Sequence, residues 1–219
     1  MKKFWFCGYR EWSTTLYYRV LEEEYASFIG SRAALKNKAN EIKDGDVVFF
    51  VGWSWNVPAR LINRCMCICL HPSKLPKYRG GSPIQNQILD NLDSSSVTLF
   101  LMDDGIDTGK IIDQNEFSLN GRLDEIFDRI VNVGSRSIIS IIRKIKNNTL
   151  KLIEQDELQA SYCNRRTPQQ SEITIDQINN LTAKQLYNKI RCLQDPYPLP
   201  YIVCKDGKKL FLLEAKYEE

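Results

Sequence analysis

Histidine is scarce in this sequence, with His71 as the only one among 219 residues. Zinc sites in proteins are usually built from several His and Cys ligands. Seven cysteines are present, but Cys65, Cys67 and Cys69 alternate along one apolar run and form no CxxC pair. The odd number of cysteines predicts reduced thiols, as in a cytoplasm. We therefore expect no metal site.

Long apolar runs and an excess of one charge are also missing. No stretch approaches the roughly 20 apolar residues of a membrane helix, and the first residues lack the apolar stretch of a signal peptide. The net charge is only +3, and the sequence has no block of basic residues. We therefore expect a cytoplasmic protein that binds neither membranes nor nucleic acid.

The residue types that carry chemistry are concentrated at residues 65–107. Residues 66–70 are apolar and are expected to form a buried strand of a parallel sheet. Cys69 and His71 then point to the same face, because side chains alternate along a strand. Pro72 stops regular structure, so His71 lies at the carboxyl end of the strand, the edge at which open α/β sheets bind ligands.

An acidic loop supplies a partner for this histidine. The apolar run 97–102 predicts another strand, and Asp107 ends the loop 103–107 that follows it directly. We therefore expect Asp107 at the same carboxyl edge as His71. A carboxylate beside an imidazole fixes its tautomer and favours its charged form, which predicts an acid/base pair. The alternatives are a loop histidine with a satisfied hydrogen bond and an acidic turn in solvent.

Strand and helix patterns alternate over residues 1–149. This alternation predicts an α/β domain with a Rossmann-like, doubly wound and mostly parallel sheet. The remaining strands are expected at residues 3–7, 25–30 and 46–52, with an extended segment at 109–117. Helices are expected at residues 14–24 after a Ser13 cap, 31–44, 58–64, from Pro83 after a Ser82 cap, and 122–146.

Residues 150–219 differ in character and are expected to form a second, smaller unit. They are polar up to residue 175, and one or two helices follow at 176–193. A rigid extended connector is expected at 195–200, and a β-hairpin that turns at Asp206–Gly207 is expected at 201–215. One hairpin is not stable alone, so it must pack on its own domain or on a second subunit. We therefore expect a homodimer.

Two further features adjoin the expected sheet edge. Gly8 lies between the first strand and the first helix, and such a turn can hold an anion against free N–H groups. An ordinary strand-to-helix turn explains it equally well. Trp53 and Trp55 follow the third strand, where they either pack in the core or wall a pocket for a flat ring.

Several segments together resemble the folate-dependent formyltransferases. HPSKLPKYRGGSPIQNQI (71–88) followed by MDDGIDTGKII (102–112) is similar to the signature of that superfamily. FCGYREW (6–12), NRRTPQQSEI (164–173) and IRCLQDPYPLPYI (190–202) look most like the sugar N-formyltransferase branch. The residues between 30 and 46 are fewer than the strand and helix that the family usually has there.

The resemblance implies a catalytic pair, His71 and Asp107, and it marks one departure at Cys69. The family has Asn two residues before the His, where it helps hold the formyl oxygen as charge develops. Loss of one such donor typically lowers the rate about a hundred- to a thousandfold. Either the Cys69 thiol is a weak donor, or backbone groups and His71 suffice, or activity is low. Simple packing of Cys69 is a further reading.

The resemblance also implies N10-formyltetrahydrofolate as the co-substrate, without a metal. The pterin is then expected to contact Trp53, Trp55, Val57, Asp104 and Ile106. A nucleotide-linked amino sugar is expected to contact Gly8, Arg10, Trp12, Ser73 and Lys77.

The implied reaction moves the formyl group to the amine of a nucleotide-linked aminodideoxy sugar. A dTDP-4-amino-4,6-dideoxyhexose for bacterial surface polysaccharide (O-antigen) is the expected substrate. The alternatives are a formyltransferase for another amine, such as methionyl-tRNA or a ribonucleotide, and a non-catalytic binder of folate or nucleotide sugar. A hydrolase that uses Cys69 as a nucleophile with His71 is a third possibility.

Overall fold

The computed structural model describes residues 2–195 and 197–218. The strands are β1 (Phe4–Cys7), β2 (Ser27–Ile29), β3 (Val47–Val51), β4 (Met66–His71), β5 (Arg79–Gly80), β6 (Ser94–Leu101), β7 (Ile111–Ser118), β8 (Tyr162–Cys163), β9 (Tyr201–Val203) and β10 (Lys209–Phe211). The helices are α1 (Glu11–Leu21), α2 (Arg32–Lys38), α3 (Ala59–Arg64), α4 (Pro83–Leu89), α5 (Leu123–Lys146), α6 (Ile175–Asn180) and α7 (Ala183–Arg191).

The centre of the molecule is a six-stranded sheet with the order β2-β1-β3-β4-β6-β7. Strands β1 to β4 run parallel, and β6 and β7 are antiparallel to their neighbours. The predicted α/β, mostly parallel Rossmann-like sheet is therefore confirmed. Two smaller sheets pair β5 with β8 and β9 with β10.

Both faces of the sheet are covered, as the unbroken apolar run of β3 requires. Val47, Phe49 and Val51 pack in the core on the side of α1 and α5. Val48 and Phe50 pack on the opposite side, with side chains from α2 and α3. Burial of one such side chain stabilises the fold by about 1.5–3 kcal/mol, so two cores fix the sheet between the helical layers.

The long helix α5 was predicted at residues 122–146. It ends at the predicted residue and begins one position later than expected. Its buried stripe faces the sheet and consists of Leu123, Ile126, Ile130, Val131, Ile138, Ile141, Ile142 and Ile145. The Glu125 side chain accepts a hydrogen bond from the backbone N–H of Arg122 at 2.8 Å. That bond satisfies one of the free donors at the start of the helix.

Of two predicted serine caps, Ser13 is wrong, whereas Ser82 lies at the predicted N-cap position without a capping hydrogen bond. Helix α1 begins at Glu11, before Ser13, whose hydroxyl donates to the Arg10 carbonyl at 2.6 Å. Helix α4 begins at Pro83 as expected, but Ser82 is left-handed (φ 50°) and makes no capping bond. The Ser82 hydroxyl instead accepts from the Arg166 backbone N–H at 3.1 Å.

The reasoning that placed Asp107 at the carboxyl edge of the sheet is also wrong. Strand β6 is antiparallel to β4, with Leu101 opposite Ile68 and Thr98 opposite His71. The carboxyl end of β6 therefore lies beside the middle of β4. The loop that follows must turn back along β4 before it reaches His71.

The segment at residues 30–46 is short, as the sequence indicated. Helix α2 covers only Arg32–Lys38 of the predicted helix at 31–44, after a Ser31 cap. Strand β2 is the edge of the sheet.

Residues after 149 contact the first part of the chain at several points. Ile153 pairs with Ile111 of β7, and β8 pairs with β5. The Arg191 side chain of α7 donates to the Leu119 carbonyl at 2.7 Å. The predicted hairpin is present as β9 and β10. The predicted connector at 195–200 includes Pro196, which lies outside the described residues.

All seven cysteines are free thiols. Among residues 2–195 and 197–218, no three Cys, His, Asp or Glu side chains are grouped as metal ligands would be. None of the helices in this part of the chain is long and apolar enough to span a membrane.

Candidate active site

His71 and Asp107 meet above the end of β4. His71 Nδ1 lies 3.3 Å from Asp107 Oδ2, and the two side chains are 7% and 18% exposed. The same carboxylate oxygen accepts a hydrogen bond from the Gly80 backbone N–H at 2.8 Å. The imidazole and the carboxylate therefore form a contact pair at a nearly dry site.

The second ring nitrogen of His71 is held by the backbone. His71 Nε2 lies 2.8 Å from the Tyr78 carbonyl oxygen. A carbonyl can only accept, so Nε2 is the donor in this contact. The imidazole is thus oriented on both sides, with Nδ1 toward the Asp107 carboxylate and Nε2 toward the backbone.

Cys69 lies on the same strand face as His71, as the alternation predicted. It packs on the side of the sheet that holds Cys67 and Phe100. Its thiol donates a long hydrogen bond, 3.7 Å, to the Leu70 carbonyl. Burial, and then the negative charge of Asp107, raise the pKa of Cys69 well above its usual range. A neutral thiol is a poor nucleophile, which argues against the thiol hydrolase.

The pair opens into a cleft with two lobes. The larger lobe has a volume of about 720 Å³, within the usual range for small-molecule sites. One wall is aromatic: Trp53 packs edge-on against both Phe50 and Trp55, with ring centres 5.8 and 4.8 Å apart. The other wall is the acidic loop 103–107. Trp53 therefore both packs against the core and lines the cleft, whereas Trp55 lines the cleft.

The smaller lobe has a volume of about 340 Å³ and holds the imidazole of His71. Three buried donors that line it, Trp12 Nε1, Trp53 Nε1 and Arg166 Nε, have no hydrogen-bond partner within the described part of the chain. Gln85 Nε2 also has no hydrogen-bond partner of ordinary length among the described residues. Burial raises the pKa of Tyr197, and the nearby Gln85 side chain counters part of that rise. Buried polar groups are rarely left unpaired, so this lobe is built for a ligand rich in acceptors.

Comparison with known proteins assigns the chain to a family. The profile of the formyl transferase family matches residues 17–141. The chain belongs to this family. The match includes β4, the acidic loop and most of α5, and therefore both His71 and Asp107.

Two of the formyltransferases that are similar in sequence are methionyl-tRNA formyltransferases. The methionyl-tRNA formyltransferase of Lachnospira eligens is 32% identical over 176 residues, which are 78% of this chain and 54% of the relative. The methionyl-tRNA formyltransferase of Campylobacter jejuni is 32% identical over 200 residues, with 89% and 62% of the two chains covered. This chain thus spans less than two thirds of the length of these relatives.

The formyltransferases that are similar in structure also include sugar enzymes. A 4-N formyltransferase from Francisella tularensis has a TM-score of 0.78 and 21% identity over 99% of this chain and 98% of its own. An N-formyltransferase from Helicobacter canadensis, in complex with folinic acid and dTDP-3-aminofucose, has a TM-score of 0.64 and 23% identity over 88% and 80%. At these identities the likeness shows the fold.

Most of the residues predicted to bind ligands line this formyltransferase cleft. The larger lobe is lined by the five residues expected at the pterin, Trp53, Trp55, Val57, Asp104 and Ile106. Arg10 and Trp12 line the smaller lobe. The Arg10 guanidinium lies 4.9 Å from the centre of the Tyr9 ring, which holds it at the mouth of the lobe.

Three predicted substrate contacts do not line the cleft. A Cβ atom at Gly8 would lie 2.8 Å from Ser13 Oγ and 2.9 Å from the Val51 carbonyl, so close packing alone requires glycine. Ser73 is fully buried, and its hydroxyl donates to the Lys77 carbonyl at 2.7 Å. The Lys77 side chain is exposed outside both lobes. The expected substrate contacts of Gly8, Ser73 and Lys77 are therefore corrected.

The sequence reasoning missed residues of the smaller lobe that come from distant segments. Gln85 lies on α4, Arg165 and Arg166 follow β8, and Tyr197 lies near the end of the chain. The paired arginines in NRRTP were the only available signal, and nothing in their spacing located them at His71. These segments meet because β5 pairs with β8. Strands of two residues carry no sequence pattern that would predict this pairing.

Proposed function

We propose that this protein transfers the formyl group of N10-formyltetrahydrofolate to the amine of a nucleotide-linked aminodideoxy sugar. A dTDP-4-amino-4,6-dideoxyhexose for bacterial surface polysaccharide is the substrate we favour. The central support is the set of unpaired donors in the smaller lobe, next to the acid/base pair.

Those donors suit a sugar diphosphate better than an apolar side chain. Trp12, Trp53 and Arg166 offer N–H groups to an acceptor, and Arg10 and Arg165 add positive charge at the same lobe. Sugar hydroxyls and diphosphate oxygens accept such bonds, and a guanidinium can pair with two phosphate oxygens at once. The thioether of a methionine side chain is at best a weak acceptor for such donors, and each donor that stays buried and unpaired costs about 1–3 kcal/mol.

The larger lobe fits the folate. Flat rings pack well on aromatic walls, and Trp53 and Trp55 supply one here. The exposed polar groups of loop 103–107 lie opposite, where a pterin needs hydrogen-bond partners. Because both lobes share Cys69 and Asp107 in their lining, a formyl donor in one and an amine in the other would meet at the pair.

The transfer of the formyl group then requires one acid/base pair that moves a proton from the amine to N10. The amine nitrogen forms a bond to the formyl carbon, and the bond between that carbon and N10 breaks. The amine loses one proton and N10 gains one, so the balance requires only that a proton be passed across. His71 stabilises the tetrahedral intermediate or takes the proton of the amine, and Asp107 holds His71 and helps to pass that proton to N10.

Methionyl-tRNA is the second candidate substrate, because the sequence relatives carry that name. Nucleic-acid binding normally requires a clustered basic surface, and the net charge of this chain is only +3. The donor-rich lobe also disfavours a methionine side chain. We therefore rank the sugar substrate first.

Binding of the nucleotide sugar tests this proposal. Arg166→Gln removes a donor from the smaller lobe, and Arg136→Gln removes an arginine from the far side of α5 as a matched control. We expect the Kd for a dTDP-amino sugar, measured by calorimetry, to rise about tenfold in the first variant, as for one hydrogen bond to a charged group. The Kd for folinic acid should stay the same in both variants. Equal sugar affinity in the wild type and Arg166→Gln would contradict the assignment of the lobe.

We further propose a homodimer that forms through the β9–β10 hairpin. Val203, Leu210, Phe211 and Leu213 are each at least half exposed on this hairpin. Apolar side chains grouped in this way commonly mark a protein interface. The free cysteines fit a reducing compartment, and we propose that the enzyme acts in the cytoplasm.

A further inference from the structure

A buried arginine lies beside the catalytic loop and takes no part in the proposed reaction. Arg79, the residue before Gly80, has a side chain that is 0% exposed. A guanidinium leaves water only when its N–H groups are paired. Nη1 donates to Glu157 at 2.9 Å and to the Tyr162 hydroxyl at 2.8 Å, and Nη2 donates to Glu157 at 2.6 Å. The hydrogen bond with Glu157 raises the pKa of Arg79, so the group stays charged.

The same guanidinium orients the side chain of Gln155. Nε and Nη2 of Arg79 both donate to Gln155 Oε1, at 3.1 and 2.8 Å. Because an arginine can only donate, the amide oxygen must face it and the amide nitrogen must face away. Gln155 Nε2 then donates to the carbonyl oxygens of Asp107 at 2.9 Å and Gly109 at 2.7 Å.

The loop that receives these bonds needs support. Asp107 has a φ of 56°, a left-handed conformation that is uncommon for any residue but glycine. Such a conformation persists only where the surroundings hold it. Residues 103–106 before it are exposed. The Gln155 amide donates to the carbonyl of Asp107, and the Gly80 N–H donates to its carboxylate. Gly80 follows Arg79 in the chain and Gln155 bonds to the Arg79 side chain, so both donors depend on the position of Arg79.

We propose that Gln155, held in place by Arg79, is a positioning residue for the Asp107 carboxylate. This inference deepens the proposed function and rests on it. Without the two amide N–H groups, the loop relaxes from its left-handed turn and the carboxylate moves away from His71. Gln155 lies 48 residues after Asp107 and beyond the segment that matches the family profile. The part of the chain after residue 149 thus contributes to the geometry of the acid/base pair.

The test must separate positioning from a general loss of stability. Gln155→Glu keeps an oxygen for Arg79 but turns a second oxygen toward the two carbonyls, which cannot donate. Gln159→Glu is the matched control, because this exposed glutamine of the same segment contacts only Asp156 in the described chain. Since His71 is the only histidine, its imidazole gives one unambiguous set of ring signals in NMR spectra of the full-length protein.

We expect the His71 ring signals of Gln155→Glu to move to the positions that Asp107→Asn produces. The kcat for formyl transfer should fall by about ten- to a hundredfold, as misplacement of a reacting group by about 1 Å can cause. The KM for the amine should change by less than about twofold, because Gln155 does not line the smaller lobe. Gln159→Glu should match the wild type in every measurement.

Wild-type ring signals and an unchanged kcat in Gln155→Glu would overturn the proposal. If that variant fails to fold, Gln155→Met replaces it, since it removes both donors but leaves Arg79 paired with Glu157. The spectra remain decisive even if the wild type formylates no amino sugar. In that case the proposed function fails, whereas the positioning of Asp107 by Gln155 is still judged from His71.

Discussion

Cys69 lies at the position where the resemblance to the formyltransferases implies an asparagine, and the structure shows the surroundings of its thiol. The thiol is half-buried, has a pKa raised well above its usual range, and lines the cleft together with His71 and Asp107. An S–H group is a weak donor, so an oxyanion at this position is stabilised less than by an amide. We therefore propose that Cys69 limits the rate and does not act as a nucleophile.

Cys69→Asn should raise kcat. Restoration of an amide donor should increase the rate by about ten- to a hundredfold, somewhat less than the usual value of one oxyanion donor because His71 already supplies part of the stabilisation. Cys69→Ser is the control, because it also removes the thiol but adds only a short hydroxyl. Steady-state formyl transfer measures both variants. Loss of all turnover in Cys69→Ser would instead support the thiol hydrolase.

For single residues, the sequence predicted which side chains of one strand share a face. It did not predict which residues of distant segments come into contact. The alternation of side chains was enough to place Cys69 and His71 on one face. The proximity of Asp107 was expected on the wrong grounds, since β6 is antiparallel to β4. Gln85 and Arg166 could not be assigned, because their position depends on tertiary contacts that no local pattern records.

The helices and strands with a strong hydrophobic pattern in the sequence were predicted well. The apolar stripe of α5 and the unbroken run of β3 left little choice of structure. The short strands β5 and β8 were missed, because pairs of two residues carry no periodic signal. Ser13 was misassigned as a cap, because a serine can bond to a neighbouring backbone group in several ways.

The hairpin β9–β10 carries the prediction that belongs to this scale. Phe211→Glu should turn a dimer into a monomer, because a charge at a buried aromatic contact should weaken association by about 2 kcal/mol or more. Leu158→Glu is the control, since Leu158 is 97% exposed and lies on another segment. Light scattering after size-exclusion chromatography gives the mass of each. A monomeric wild type at high concentration would rule out the proposed dimer.

At the scale of the whole molecule, Asp46 precedes β3 and connects the start of β1 to the segment that follows α2. Its carboxylate accepts from the Lys3 and Lys43 backbone N–H groups and from Trp5 Nε1, each at 3.0 Å. Burial opposes the charge, but these hydrogen bonds outweigh it and lower the pKa of Asp46. The stabilisation is therefore complete above the unfolded value of about 3.9 and is lost as the pH falls through the lower folded pKa.

Asp46→Asn should lower the free energy of unfolding at pH 7 by about 1.5–3 kcal/mol, as for hydrogen bonds to a charged group. The difference from the wild type should shrink as the pH falls below about 4. Asp44→Asn, at a side chain that is 85% exposed, should have almost no effect. Urea unfolding at several pH values measures all three proteins. A difference that does not depend on pH would show that the charge of Asp46 does not contribute.

The most direct test of the central claim is formyl transfer itself. The wild type, His71→Ala and Asp107→Asn are each incubated with N10-formyltetrahydrofolate and a panel of dTDP- and UDP-amino sugars, with methionyl-tRNA in parallel. Mass spectrometry then detects the addition of one formyl group. We predict a formylated sugar with the wild type and a rate lower by about a hundred- to ten-thousandfold in both variants. Formylated methionyl-tRNA without any formylated sugar would contradict the proposed substrate, and no product despite tight folate binding would indicate a binder without catalytic activity.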